Sequence, residues 1–125
     1  MEEVRNFKHS FLIKETQMSD EQSKLFIPLY TEMEDKVYQA NRNARQLEAD
    51  LSREKDEVSD EQYTAVAKAL SDVTVIEGEI EKEYFKIFEK ILSPKQMFLL
   101  KRAENRFAVE MLNHNKRSKA KQGNE

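Results

Sequence analysis

Few side chains in this 125-residue chain are of the kinds that catalyse reactions or bind transition metals. Histidine occurs twice, as His9 and His114, and cysteine is absent. Histidines act as metal ligands when a second group lies at a fixed spacing, as in HExxH or Glu-x-x-His on a helix. Neither spacing occurs, and no glycine-rich loop is present to cradle a phosphate. We therefore expect no enzymatic activity, no cofactor and no metal site.

A different pattern occurs three times: an apolar residue, serine, two polar or turn residues, and glutamine. The copies begin at Met18, Val58 and Leu92. A serine at the N-cap accepts a hydrogen bond from a first-turn N–H, and a glutamine three residues later reaches back to the serine N–H. Each copy therefore predicts the start of a helix. In the third copy Pro94 occupies the first helical position, where proline is favoured.

These starts divide the chain into four predicted helices, at about 4–15, 19–56, 59–91 and from 94 onward. The second helix has a heptad spacing of apolar residues, which is typical of a long helix packed lengthwise against another. Its members are Phe26, Tyr30, Met33, Val37, Ala40, Ala44, Leu47 and Leu51. The third helix is apolar along one side. The sequence predicts an all-α fold: a long antiparallel helical hairpin with a short N-terminal helix and a C-terminal helix.

Three positions along the hairpin call for separate expectations. Pro28 lies inside the second helix and predicts a kink there, because proline removes one backbone hydrogen bond. Residues 52–57 lose the apolar rhythm without a glycine or proline, so a turn and one continuous helix are both open. Gly78 lies mid-helix, where either the close approach of another helix or plain tolerance accounts for it.

The C-terminal end is basic, with eight Lys or Arg against three Glu over 95–125, although the whole chain has a net charge of −3. Cations near a helix C-terminus are favourable in their own right. Aromatic residues for stacking on bases are absent after Phe107. We expect a single domain over 1–117, a disordered basic tail over 118–125 and no nucleic-acid partner.

The apolar residues also bear on membranes and assembly. No apolar run approaches the roughly 18 residues of a membrane span, and the first ten residues are too polar for the core of a signal peptide. We therefore expect no membrane insertion. A hairpin about 50 Å long buries only one stripe per helix, so its surplus apolar residues predict an elongated, curved homodimer.

Several short motifs together resemble a known family. The repeated pattern is similar to the Leu-Thr-x-x-Gln motif of the Spy and CpxP family of small bacterial envelope proteins. Matching positions are Met18, Ser19, Gln22, Leu92, Ser93 and Gln96. Pro28 and Tyr30 after the first motif, and the run Ala103-Glu104-Asn105-Arg106-Phe107 after the second, resemble the Bacteroidetes branch.

The resemblance implies an all-α dimer that acts in envelope stress. Members either hold unfolded proteins without ATP or sense and inhibit a stress-signalling pathway. The motif residues would then be structural and set helix starts. A periplasmic location is implied, while the missing signal peptide leaves a cytoplasmic location open.

A group of basic and aromatic residues on the fourth helix is the predicted client contact. Its members are Phe98, Lys101, Arg102, Arg106 and Phe107. The alternative is that these basic side chains only cover a helix edge with their aliphatic stems. The alternative function is an adaptor hairpin that docks one dedicated partner, such as a regulator of a signalling or sigma-factor pathway.

Overall fold

The computed structural model describes the backbone of residues 2–123 and, within that range, the side chains of 2–113 and 116. It contains four helices, α1 (Glu2–Thr16), α2 (Asp20–Ser52), α3 (Asp60–Phe88) and α4 (Pro94–Gly123). The described residues include no strand. The predicted all-α fold is confirmed.

Helices α2, α3 and α4 each begin at one of the predicted serine and glutamine pairs. In every pair the serine Oγ accepts a hydrogen bond from the glutamine backbone N–H, and the glutamine Oε1 accepts one from the serine N–H. The two distances are 3.1 and 2.9 Å for Ser19–Gln22, 3.2 and 2.9 Å for Ser59–Gln62, and 3.1 and 3.0 Å for Ser93–Gln96. All three are complete capping boxes, as the spacing predicts.

Helix α1 ends in a geometry for which the sequence contains no glycine signal. Gln17 has a φ of 57°, in the left-handed region that usually favours glycine. The Gln17 N–H donates to the Lys14 carbonyl and the Met18 N–H to the Ile13 carbonyl, both at 3.2 Å. These two bonds form a Schellman motif, which satisfies the last carbonyls of the helix.

For residues 52–57 the sequence leaves both a turn and one continuous helix open, and the structure shows which is present. Helix α2 ends at Ser52 and α3 begins at Asp60, so a turn is present. The Glu54 carboxylate accepts hydrogen bonds from the backbone N–H groups of Lys55 and Asp56, at 3.2 and 3.4 Å. These local bonds replace helical ones, and the capping box at Ser59 then restarts the helix.

The predicted helix ends lie a few residues too far along the chain. Helix α2 ends at Ser52 instead of about 56, and α3 at Phe88 instead of about 91. At the end of α3, the N–H groups of Ile91 and Leu92 both donate to the Phe88 carbonyl, at 2.9 and 2.8 Å. Past the end of α3 the apolar spacing continues because the turn residue Leu92 is also buried, whereas no apolar spacing follows Ser52.

The chain divides into two compact units. The single domain over 1–117 stays a prediction. We call Met1–Ile27 with Phe88–Glu125 the terminal unit, and Pro28–Ile87 the middle unit. The division falls next to Pro28, inside α2. Backbone through this proline remains helical. The kink stays a prediction.

The terminal unit holds most of the buried apolar residues. Phe26 and Phe88 are in ring contact, with centroids 4.8 Å apart. The other buried apolar residues of this unit are Leu12, Met18, Leu92, Met97, Leu100, Ala103 and Phe107. Residues from α1, the first turns of α2, the end of α3 and α4 therefore share one core.

The middle unit consists of α2 from Pro28, α3 to Ile87 and the loop between them. Asn41 Nδ2 donates to Glu77 Oε1 at 2.8 Å, and Lys36 Nζ lies 5.0 Å from the ring centroid of Tyr84. Asn41 follows Lys36 on α2, whereas its partner Glu77 precedes Tyr84 on α3, so the two segments run antiparallel. In this unit the buried apolar residues are Tyr30, Met33, Ala44 and Tyr84.

Two further sequence expectations meet the structure. A Cβ built on Gly78 meets no atom within 4 Å, so close approach of another helix does not account for this glycine. Helix α4 continues to Gly123, whereas a disordered tail is expected from 118. No glycine or proline interrupts the helix between Pro94 and Gly123, and Lys, Arg, Ala and Gln are good helix formers. Residues 124 and 125 of the expected tail lie outside the described residues.

Candidate functional site: paired helix caps and an apolar groove

The structure brings together two of the three capping boxes, which are far apart in sequence. Gln22 Nε2 donates to Gln96 Oε1 at 2.8 Å, and Gln96 Nε2 donates to Gln22 Oε1 at 2.9 Å. Each amide oxygen therefore accepts two bonds, one from its own serine N–H and one from the other glutamine. The start of α2 is thus tied directly to the start of α4.

The remaining amide hydrogens reach the turns that precede the two helices. Gln22 Nε2 donates to the Ile91 carbonyl at 3.1 Å, and Gln96 Nε2 lies 3.4 Å from the carbonyls of both Thr16 and Gln17. Gln17 and Ile91 each stand two residues before the capping serine, so the arrangement is nearly two-fold symmetric. With two donors and two acceptor bonds used, each glutamine amide has its full set of partners.

The predicted motif residues lie together, and their observed contacts are structural. Met18 and Leu92, the apolar residues before the two serines, are both buried. The middle box at Ser59 and Gln62 lies in the middle unit, and within the described part of the chain its side-chain hydrogen bonds join only these two residues. The sequence does not distinguish the joined boxes from the isolated one, because the cross-connection depends on tertiary packing.

The predicted client contact on α4 does not form one patch. Phe98 is 63% exposed, with the Arg102 guanidinium carbon 5.8 Å from its ring centroid, whereas Phe107 is only 8% exposed. Nine residues at 3.6 per turn place these two phenylalanines about 180° apart around the helix. Their spacing in the sequence is therefore sufficient to indicate that Phe98 and Phe107 lie on opposite faces of the helix.

The basic residues of this predicted contact are exposed, and Lys101 and Arg106 take part in surface ion pairs. Lys101 Nζ lies 3.3 Å from Glu104 Oε1 on the same helix. Arg106 Nη1 lies 3.5 Å from Glu15 Oε2 on α1. Exposed pairs of this kind add little stability. The Arg106 pair does mark the point where α1 lies beside α4.

Phe107 forms part of an open groove between α1 and α4. Its ring centroid lies 5.9 Å from that of Phe7 and 5.7 Å from that of Phe11. The groove has a volume of about 880 Å³. Its apolar lining residues are Val4, Phe7, Phe11, Phe107, Val109 and Met111.

Several apolar side chains in this groove face solvent. Phe7 is 61% exposed, and Val4 and Val109 are also exposed. The apolar spacing of the first helix and the wide apolar arc of the fourth are both visible in the sequence. Only the tertiary structure shows that these two faces meet partly and leave an open groove between them.

Charged residues border the groove unevenly. Among the described lining residues, the carboxylates of Glu3, Glu15 and Glu110 outnumber the guanidinium of Arg106. A second cation lies nearby, since Lys8 Nζ is 6.0 Å from the ring centroid of Phe107. Arg106 and Glu15 form the ion pair described above, at 3.5 Å. Among the side chains that the structure describes, no ion pair joins Glu3 or Glu110 to a cation. Counted over these described side chains, the excess charge is negative.

In the middle unit, Lys36 has a perturbed ionisation. A hydrogen bond with Tyr84 raises the pKa of Lys36 above the ordinary value, and the nearby carboxylates of Glu32 and Glu83 add to the effect. Lys36 Nζ lies 3.9 Å from Glu32 Oε1. A smaller hollow of about 370 Å³ lies on α2, lined by residues between Val37 and Gln46.

The histidines are not brought into a recognisable chemical site. His9 is buried in the terminal unit, and the side chain of His114 lies outside the described residues. Within the described part of the chain, no three His, Asp or Glu residues are grouped as metal ligands. In the same residues, no helix combines the length and apolar character needed to cross a bilayer.

No family model, curated protein or solved structure matches this chain. The resemblance to the Spy and CpxP family therefore stays a prediction.

Proposed function

We propose that this protein binds unfolded or partly folded proteins without ATP, as a holding chaperone or a stress-sensing protein of the bacterial envelope. The observation that carries the proposal is the groove between α1 and α4, which leaves Val4, Phe7 and Val109 exposed. Contiguous exposed apolar surface on a water-soluble fold is typical of interaction sites. The periplasmic location rests on the family resemblance alone.

An open groove suits weak binding of many clients. Exposed phenylalanines and valines offer apolar contact to any sequence that supplies its own apolar side chains, without a demand for one hydrogen-bonding pattern. Such contacts are non-directional and scale with the area removed from water. Binding of this kind can be reversed without ATP because no single contact is strong.

Exposed apolar residues in the middle unit support a second interpretation. Tyr38, Tyr63, Val75 and Ile76 are all exposed on two antiparallel helices. Such helices can dock a dedicated partner helix, as an adaptor does, or a second copy of the chain, as the predicted homodimer requires. An adaptor binds one partner through a defined interface, whereas a chaperone protects unrelated proteins.

The test is light scattering from several unrelated denatured proteins diluted into buffer that contains this protein and no ATP. We expect suppression of aggregation in each case. Replacing Phe7 by Ser removes an apolar contact worth about 1.5 kcal/mol when buried, so roughly tenfold more protein is needed for equal suppression.

The matched control is Phe98→Ser, because Phe98 is as exposed as Phe7 but lies outside the groove. We expect this variant to suppress aggregation like the parent. Circular dichroism and thermal melting verify that both variants remain folded. If Phe98→Ser loses activity and Phe7→Ser retains it, the contact surface is the basic face with Lys101 and Arg102. Failure to suppress any client favours the adaptor.

A further inference from the structure

The apolar lining of the groove and its charges together restrict what it can bind. On α1, Val4, Phe7 and Phe11 follow one another at spacings of three and four, so their side chains lie in one row. On α4, Phe107 and Met111 are four residues apart and form the opposite wall. An occupant must therefore present apolar side chains to both walls.

The acidic groups stand around this apolar row. Glu3 and Glu15 are twelve residues apart on α1, which is about 18 Å along the helix at 1.5 Å per residue. Glu110 lies on the α4 side. Because Glu15 pairs with Arg106, the carboxylates of Glu3 and Glu110 and the Lys8 ammonium near Phe107 leave an excess of one negative charge among the described groups.

We infer that the groove prefers short apolar segments flanked by Lys or Arg over equally apolar segments flanked by Asp or Glu. This inference rests on the proposed function and adds the class of client to it. A flanking cation gains attraction to Glu3 or Glu110, while a flanking carboxylate is repelled by them. Complementary charge of this kind selects among partners that share the same apolar contacts.

This preference is opposite to that of the basic face of α4. Lys101 and Arg102 beside Phe98 would attract acidic segments. The sign of the charge preference therefore reports which of the two surfaces holds the client.

The inference is tested with two fluorescent peptides that share the same apolar core. Lysines flank the core in one peptide and glutamates flank it in the other. Fluorescence anisotropy measures the binding of each peptide to the full chain. At low ionic strength we expect the lysine-flanked peptide to bind about three- to fivefold more tightly, since exposed charge pairs contribute modestly. The difference should shrink as salt is added. In the double variant Glu3→Gln and Glu110→Gln, most of the preference should disappear.

The matched control is Glu2→Gln. Glu2 precedes Glu3 in the same first turn of α1, so its neutralisation changes the helix dipole interaction equally, but it does not line the groove. We expect this variant to keep the full preference. Loss of the preference in Glu2→Gln to the same extent would overturn the inference.

Other outcomes separate the inference from the proposed function. Equal binding of both peptides, weakened by Phe7→Ser, would overturn the charge preference and leave the groove as the client site. Tighter binding of the glutamate-flanked peptide would overturn the inference in favour of the basic face. If neither peptide binds and no client is protected in the scattering assay, both the inference and the proposed function fail.

Discussion

The terminal unit and the middle unit bury their apolar residues to different extents. Leu12 and Phe26 in the terminal unit are fully buried, whereas Leu47 in the middle unit is 46% exposed and Tyr63 is also exposed. In the terminal unit, α1, the start of α2, the end of α3 and α4 all contribute buried residues to one core. In the middle unit two antiparallel helices cover only one stripe of each other.

The difference shows that the same kind of sequence pattern can have two structural outcomes. Apolar residues at heptad spacing continue along α2 through both units, from Phe26 to Leu51. Where a third and a fourth element are close, the stripe is buried. Further along α2, in the middle unit, Ala44 is still buried but Leu47 is 46% exposed and accessible to a partner protein or a second copy.

The largest expected effect compares one leucine from each unit. Leu12→Ala should lower the free energy of unfolding by about 3 kcal/mol, because it leaves a cavity in a closed core. Leu47→Ala should cost less than about 1 kcal/mol, because the side chain is already half-exposed. Urea unfolding followed by circular dichroism measures both. If the two substitutions cost the same, and if the cost of Leu47→Ala rises with protein concentration, a second copy of the chain covers Leu47 instead.

The next comparison is between the joined and the isolated capping boxes. Gln96→Ala should lower stability by about 2 kcal/mol, because it removes the bond that the glutamine side chain accepts from the Ser93 N–H and leaves the Gln22 amide without its partner. Gln62→Ala removes the equivalent bond from the Ser59 N–H and should cost about 0.5 to 1 kcal/mol. A double-mutant cycle between Gln22 and Gln96 should give a coupling of about 1 kcal/mol. Additive effects would contradict a stabilising amide pair.

At Gly78, in the middle unit, we expect a substitution that raises the free energy of unfolding instead of lowering it. Gly78→Ala should raise the free energy of unfolding by about 1 kcal/mol, because alanine restricts the unfolded chain and meets no obstacle in the helix. The reverse change at an exposed alanine of the same helix, Ala67→Gly, should cost a similar amount. Thermal melting checks both. A loss of stability in Gly78→Ala would mean that another molecule packs closely there.

The smallest expected effect concerns the end of α1 in the terminal unit. Gln17→Gly should stabilise the protein by about 0.5 kcal/mol, since glycine adopts a positive φ without steric cost but loses more entropy on folding. Gln17→Val should destabilise it, because a β-branched side chain is poorly tolerated in this conformation. Chemical denaturation of the three proteins measures the order. Equal stability of all three would contradict a left-handed residue at this position.

Local rules account for the parts of the fold that the sequence predicts well. A capping box requires two residues three positions apart and a helix that starts between them, so all three helix starts are readable without any tertiary knowledge. The capping box at Ser59 favours a turn before it, but the sequence leaves one continuous helix open as well, and the structure shows the turn. Helix ends are less certain from sequence, because the Schellman motif at Gln17 lacks the glycine that usually signals it.

The sequence by itself determined the helical fold, the helix starts and the apolar stripes, since these depend on neighbours within one or two turns. The tertiary structure alone decided that Gln22 meets Gln96 across 74 residues, that Phe107 is buried against α1 while Phe98 stays exposed, and that an acidic groove remains open. Each of these features requires two distant helices to be placed side by side. No local hydrogen-bonding rule or helical period fixes that placement, because it depends on how whole faces pack together.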